Sequence, residues 1–128
     1  MTQSSLLAVL SREQKPMIID DDHLGRMTLG DRSLEREVLE IFARQTTLTL
    51  KRIVGAEPRC AAAAAHTLKG SASGVGAWCV AYAAERIEQA AADGNSEAMN
   101  AAVAELEAAS FAVREAIGTR LGCLPRDH

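Results

Sequence analysis

Residues 61–77, AAAAAHTLKGSASGVGA, place one histidine and one lysine three positions apart among small side chains. Residues at i and i+3 share one face of a helix, so Lys69 can set an ammonium group beside anything attached to the imidazole of His66. An unprotonated imidazole nitrogen is a nucleophile near neutral pH. A phosphoryl group bound to it would bring about two negative charges for the lysine to meet. The pattern therefore favours an accessible nucleophile with a neighbouring anion-binding cation.

The surroundings of His66 on a helix are unusually small. At 100° per residue, His66 points away from a core-facing side formed by Ala61, Ala64, Leu68 and Val75. Gly70, one turn away, costs about 1 kcal/mol of helix stability relative to alanine, and we interpret it as steric clearance beside the imidazole. A lone histidine is most often an ordinary surface residue. His23 and His128 lack such a context and are interpreted as incidental.

The composition limits the classes of function. A chain of 128 residues fits one domain. The net charge of -3 provides no basic surface for nucleic acid. Three cysteines without a CxxC pair favour reduced thiols over a disulfide framework or a zinc site. No apolar run is long enough to cross a membrane, and no secretory signal is present, so we expect a cytoplasmic protein without a membrane partner.

Periodicity and breaker residues predict only helices. We expect a flexible N-terminal tail over residues 1–18, a bundle over 19–122 and a C-terminal tail over 123–128. In the bundle, a short helix follows the possible caps at residues 20–22, where a metal site is disfavoured because consecutive helical side chains diverge. The four long helices are expected at 31–54, from Pro58 to about 73, 78–92 and 96–121.

These lengths and short loops predict an all-α, antiparallel up-down four-helix bundle with a short extra N-terminal helix. The first long helix is amphipathic, and its apolar side is expected to include Leu34, Val38, Ile41, Phe42, Leu48 and either Leu50 or Ile53. Gly94 is the expected C-cap of the helix at 78–92. Trp78 and Tyr82 are interpreted as core or end-of-bundle packing.

The segment HTLKGSASGVGA resembles the HxLKGxxxxxGA signature of histidine phosphotransfer (HPt) domains, the four-helix carriers of bacterial two-component phosphorelays. LGDRSLEREVLEIF is similar to the preceding helix of that family and AYAAERIEQA to the following one, so the resemblance covers residues 20–121. Val75 stands where the family often has leucine, a change within the core.

The resemblance implies that His66 accepts a phosphoryl group on Nε2 and that Lys69 helps to hold the phosphoryl oxygens. Gly70 would leave room for the partner. Glu88 matches the family's Glu or Gln, which accepts a hydrogen bond from the ring Nδ1–H and leaves Nε2 free. Gln89 is the alternative for that role.

As partners, the resemblance implies response-regulator receiver domains and a hybrid histidine kinase. The receiver domain would supply the aspartate and Mg²⁺, so the chain would be a monomeric phosphoryl carrier without a cofactor of its own rather than an enzyme. The first two long helices would form the docking face. Two alternatives are a helical scaffold that carries no phosphate and an enzyme with a phosphohistidine intermediate, which the absence of a second acid near His66 on this stretch disfavours.

Overall fold

The computed structural model describes residues 18–123. Most of the two predicted tails, and His128 with them, lies outside these residues. The described part contains helices and no strand, in agreement with the predicted all-α fold. The helices are α1 (Asp21–Met27), α2 (Arg32–Ile53), α3 (Pro58–Val75), α4 (Trp78–Asp93) and α5 (Ser96–Cys123).

The four long helices form a closed ring of neighbours. Helix α2 packs against α3, α3 against α4, α4 against α5, and α5 returns to α2, while the short α1 contacts α3. Because the connections between long helices are only a few residues long, successive helices run antiparallel. In this ring, α3 has α2 on one side and α4 on the other.

Helix ends lie close to the predicted boundaries. Asp20 and Asp31 cap α1 and α2, their carboxylates accepting hydrogen bonds from backbone N–H groups at 3.1 and 3.0 Å. Pro58 occupies the first turn of α3. Helix α3 continues to Val75, two residues beyond the predicted end, and stops at Gly76, which has a left-handed backbone conformation. Gly94 ends α4 in the same way, as predicted.

Small side chains form much of the core between α3 and α4. Their buried residues are mostly alanines, so the two backbones approach closely around a few larger side chains: Ala61, Ala65, Leu68, Ala72, Val75, Val80, Ala81, Ala83, Ala84, Ile87 and Ala90. Helix α5 adds a buried seam formed by Leu106, Ser110, Val113 and Ile117.

The buried face of α2 differs from the prediction. It is formed by Leu39, Phe42, Thr46 and Ile53, whereas Ile41 and Leu48 are 50% and 61% exposed, and Leu34 is also exposed. Thr46 can occupy the core because its hydroxyl donates to the carbonyl oxygen of Phe42 at 2.8 Å. A prediction from hydrophobicity alone places the polar Thr46 at the surface. The predicted apolar face therefore included Leu48 in place of Thr46.

One end of the bundle is held together by Asp20. Its backbone N–H donates to the carbonyl oxygen of Gly76 at 2.9 Å, and its carboxylate accepts from the indole Nε1–H of Trp78 at 3.0 Å. The Trp78 ring also contacts the imidazole of His23, with 5.1 Å between ring centroids. Trp78 therefore packs at the end of the bundle, as predicted. The same prediction was wrong for Tyr82, which is 62% exposed.

None of the helices within residues 18–123 is long and apolar enough to span a membrane.

Candidate functional site

His66 lies on the outer face of α3, near the middle of the helix. Its side chain is 71% exposed, while Ala65, Leu68 and Ala72 on the inner face are fully buried. The apolar inner face fixes the rotation of α3 in the bundle, and this rotation directs the imidazole into solvent. The helix pattern around His66 predicted this orientation.

The imidazole is oriented by a carboxylate on the neighbouring helix. Nδ1 of His66 lies 2.7 Å from Oε2 of Glu88 on α4. Because an ionised carboxylate only accepts hydrogen bonds, Nδ1 must carry the proton in this contact. In the neutral ring, Nε2 then holds the lone pair, and it makes no hydrogen bond to any residue of the described part of the chain. The geometry therefore presents a nucleophilic nitrogen to solvent.

The same carboxylate binds Lys69. Nζ of Lys69 lies 2.8 Å from Oε1 of Glu88, so the two oxygens of Glu88 are divided between the lysine and the histidine. The hydrogen bond to Glu88 raises the pKa of Lys69 above its usual value, although desolvation opposes the shift. Burial alone would raise the pKa of Glu88, but the hydrogen bonds from Lys69 and His66 outweigh it and hold that pKa below the usual range. Both groups are therefore charged at neutral pH.

Gly70 lies on the exposed side of α3, one turn beyond His66. A Cβ atom built at this position would have no heavy atom within 4 Å, apart from its chain neighbours and the nearby helix backbone. Packing inside the described part of the protein therefore does not require glycine here. Gly76 is different, because its φ is +79° and a Cβ atom there would lie 2.9 Å from Cβ of Asp20.

The alternative residue Gln89 does not reach the imidazole. Its side-chain amide donates to Asp93 one turn along α4, at 3.2 Å. One residue advances a helix by about 100°, so Glu88 and Gln89 point in different directions from the same helix. The structure brings together His66, Lys69 and Glu88.

Two grooves flank the ridge of α3 that carries His66. The first lies between α2 and α3, has a volume of about 370 Å³, and is lined by Ile41, Arg44, Gln45, Leu48, Thr49, Arg52, Ala64 and Thr67. The second lies between α3 and α4, has a volume of about 510 Å³, and is lined by Lys69, Ser73, Trp78, Cys79, Ala81, Tyr82 and Glu85.

Sequence reasoning missed the second groove. The sequence did contain a signal for this groove. Trp78 and Tyr82 are spaced by one helical turn, and both lie off the apolar seam of Val80, Ala84 and Ile87.

No three His, Cys, Asp or Glu side chains within the described range come together as potential ligands of a metal ion. Around His66, the carboxylate of Glu88 orients the imidazole, and the ammonium group of Lys69 provides a positive charge that can attract an anion.

The described residues thus form a four-helix bundle in which a carboxylate on the next helix orients an exposed histidine. The family model of the Hpt domain matches residues 36–116. The chain therefore belongs to the Hpt domain family, and this membership supports a role in histidine phosphotransfer within a phosphorelay.

Solved structures share this fold at low sequence identity. The chain is similar to histidine-containing phosphotransfer protein B (HptB) from Pseudomonas aeruginosa PAO1, with a TM-score of 0.79 and 19% identity over 87% of this chain and 100% of that one. It is also similar to ZmHP2, a histidine-containing phosphotransfer protein from maize, with a TM-score of 0.76 and 20% identity over 95% and 96% of the two chains. No curated protein sequence matches the chain.

Proposed function

We propose that the protein is a phosphoryl carrier that exchanges a phosphoryl group between Nε2 of His66 and the aspartate of response-regulator receiver domains, including the receiver domain of a hybrid histidine kinase. The observation that carries the proposal is the 2.7 Å contact from Glu88 to Nδ1, which leaves Nε2 as the open nitrogen of a 71% exposed side chain. The chain acts as a monomeric carrier in the cytoplasm and relies on the receiver domain for the aspartate and Mg²⁺.

Phosphoryl transfer to His66 forms one bond to phosphorus and breaks another. The lone pair of Nε2 forms a bond to phosphorus as the bond from phosphorus to the aspartate oxygen breaks, and the carboxylate leaves with that electron pair. The ring keeps its proton on Nδ1 and becomes cationic as Nε2 is phosphorylated. The carboxylate of Glu88, in contact with Nδ1, stabilises this charge. In the reverse direction, the ring leaves as neutral imidazole.

Lys69 and Gly70 serve the phosphoryl group and the partner. Lys69 lies one turn from His66, and its flexible side chain turns from Glu88 to the phosphoryl oxygens when two new negative charges arrive. Gly70 leaves the surface beside the ring low, so that another active site can close over Nε2 within reacting distance.

The groove between α2 and α3 suits the rim of a receiver active site. Ile41 and Leu48 give it an exposed apolar surface, and Arg44 and Arg52 add positive charge. A receiver active site contains a cluster of carboxylates, so complementary charge steers its approach to this side of His66. We propose that the apolar pair provides the contact area and the arginines provide the orientation.

The test is phosphorylation by a receiver domain. An isolated hybrid-kinase receiver domain, phosphorylated with acetyl phosphate in the presence of Mg²⁺, is mixed with the protein, and acid-labile phosphate is located by intact mass and fragmentation. We expect one phosphoryl group on His66, its loss in His66→Gln, and full labelling of the matched control His23→Gln. If several receiver domains leave His66 unlabelled in a folded protein, or if His66→Gln is labelled equally, the carrier proposal is wrong and the scaffold alternative replaces it.

A further inference from the structure

The groove between α3 and α4 exposes two aromatic side chains, of which Trp78 also packs at the end of the bundle and Tyr82 does not. We call it the aromatic groove, and its main side chains are Lys69, Ser73, Trp78, Tyr82 and Glu85. Tyr82 is 62% exposed and Trp78 is 42% exposed. The chain contains only four aromatic residues, Trp, Tyr and two Phe, so half of them line this one groove.

Tyr82 projects away from the core that the described residues form. The guanidinium of Arg86 lies 5.8 Å from the centre of its ring, an exposed contact one turn along the same helix. The core of α4 is formed by Val80, Ala84 and Ile87 on its other face. Clusters of exposed aromatic and apolar side chains rimmed by polar groups are characteristic of interaction sites, where tyrosine and tryptophan supply much of the binding energy.

The aromatic groove begins at the functional site. Lys69, which lies at its edge, also binds the carboxylate of Glu88 beside His66. Along α4, Tyr82 is six residues from Glu88 and Trp78 is ten residues from it, which corresponds to about 9 Å and about 15 Å. Lys69 therefore links the aromatic groove to the surface around His66.

The size of a protein interface places this groove within reach of a docked partner. A specific interface covers about 800 Å² on each partner, equivalent to a disc with a radius of about 16 Å. A disc of this size centred on His66 extends over both flanking grooves, because α2 and α4 lie on opposite sides of α3.

We propose that the aromatic groove is the second half of the receiver docking surface, so that the receiver domain straddles α3 and places an apolar side chain against Tyr82. The inference rests on the proposed function and deepens it, since it names a contact on α4 that determines affinity. The groove between α2 and α3 steers the approach of the receiver domain by charge, and the aromatic groove binds the receiver domain by apolar contact. The partner closes over His66 from both sides and excludes water from Nε2.

The test compares two exposed aromatic residues. Tyr82→Ala on α4 is matched by Phe111→Ala on α5, where the ring is 60% exposed and lies on the helix diagonal to α3. Phosphoryl transfer from a phosphorylated receiver domain is measured as a function of receiver concentration. We expect Tyr82→Ala to lower kcat/KM about 10-fold through KM, with Phe111→Ala within two-fold of the parent and Tyr82→Phe, which keeps the ring, also close to the parent.

A binding measurement separates this inference from the proposed function. The protein labelled with ¹⁵N is titrated with the beryllofluoride-activated receiver domain, and we expect amide shifts at residues 81–85 as well as on α2. If His66 is phosphorylated but Tyr82→Ala behaves like Phe111→Ala and the shifts are confined to α2 and α3, the inference is wrong and the proposed function stands. If no receiver domain binds or labels the protein, both are wrong.

A second copy of the chain is the competing occupant of the aromatic groove. Sedimentation velocity of the parent and Tyr82→Ala tests it. We expect both to sediment as monomers over the concentration range used for transfer. A dimer that Tyr82→Ala dissociates would assign the groove to self-association and overturn the inference.

Discussion

Oε2 of Glu88 lies 2.7 Å from Nδ1 of His66, although 22 positions separate the two residues in the chain. The other oxygen of the same carboxylate lies 2.8 Å from Nζ of Lys69. Glu88 therefore orients the ring with one oxygen and binds the ammonium group of Lys69 with the other. Substitutions of Glu88 can therefore distinguish its effect on the orientation of the His66 ring from the effect of its negative charge.

Removal of the Glu88 carboxylate should slow phosphoryl acceptance. A hydrogen bond to a charged group contributes about 1.5–3 kcal/mol, so we expect Glu88→Ala to reduce the rate about 10- to 100-fold. Glu88→Gln keeps an acceptor for Nδ1–H and should lose less. The matched control is Gln89→Ala, whose side chain bonds to Asp93 instead of the ring. Equal rates in Glu88→Ala and Gln89→Ala would contradict the orienting role.

The pair of Lys69 and Glu88 predicts a pH dependence at both ends of the scale. Because the pKa of Glu88 is lowered from 4.5, its contribution to stability is complete above that value and is lost as the pH falls through the folded pKa. Because the pKa of Lys69 is raised from 10.5, its contribution is complete below that value and is lost as the pH rises through the folded pKa. Between these limits the contribution of the pair is constant.

An NMR titration of the two side chains tests this dependence. We expect the carboxyl carbon of Glu88 to titrate with a midpoint below 4.5, and the midpoint to move upwards in Lys69→Met, which removes the largest interaction that lowers it. A Glu88 midpoint that is the same in the parent and Lys69→Met would show that the two side chains do not interact in solution.

Gly70→Ala should increase stability, and a larger residue at this position should decrease phosphoryl transfer. A Cβ atom at Gly70 contacts nothing within 4 Å, so alanine should stabilise α3 by about 0.5–1 kcal/mol. Gly70→Gln places a long side chain beside Nε2, and we expect it to fold normally but to accept a phosphoryl group from a receiver domain at least about 10-fold more slowly. Thermal unfolding and the transfer rate are measured together.

Gly74→Gln is the control for this experiment. Gly74 also lies on α3 with free space around its Cβ position, one turn further from His66. The Gly74→Gln variant should retain a larger share of the parent's transfer rate than the Gly70→Gln variant. Equal effects of the two substitutions would mean that clearance is not specific to the position beside the ring.

Gly76→Ala should destabilise the bundle more than Gly94→Ala. Both glycines have positive φ, at +79° and +65°, and alanine pays about 1–2 kcal/mol in that conformation. Only Gly76 also faces a neighbour, because a Cβ atom there would lie 2.9 Å from Cβ and 3.1 Å from the carbonyl oxygen of Asp20. We expect about 2–4 kcal/mol for Gly76→Ala in urea unfolding. Equal losses of stability in the two variants would show that the structure accommodates the contact with Asp20 without losing stability.

Several structural features could be predicted because their causes are local. Asp31, Pro58 and Gly94 act within one helical turn as caps or breakers, and the observed helix ends lie at or next to them. The outward direction of His66 also follows from the sequence, since the alanines and Leu68 on the opposite side of α3 form a continuous buried strip.

Other features could not be predicted because they depend on neighbours in space. The stripe of α2 was misplaced because Thr46 is buried with its hydroxyl bonded to Phe42, and hydropathy assigns such a residue to the surface. Tyr82 was expected to pack because aromatic residues usually do, but the alanines of α3 and α4 bring the two helices together without it.

The amino-acid sequence by itself determined the helices, their antiparallel order and the exposed histidine with a lysine one turn away, because each depends on periodicity, caps or spacing within a single helix. Only the tertiary structure decided between Glu88 and Gln89 as the neighbour of the ring, and only it joined Trp78 and Tyr82 to Lys69 in one groove. The physical reason is the register of α3 against α4: one residue turns a side chain by about 100°, and the small side chains packed between the two helices, together with the turn at Gly76, set that register.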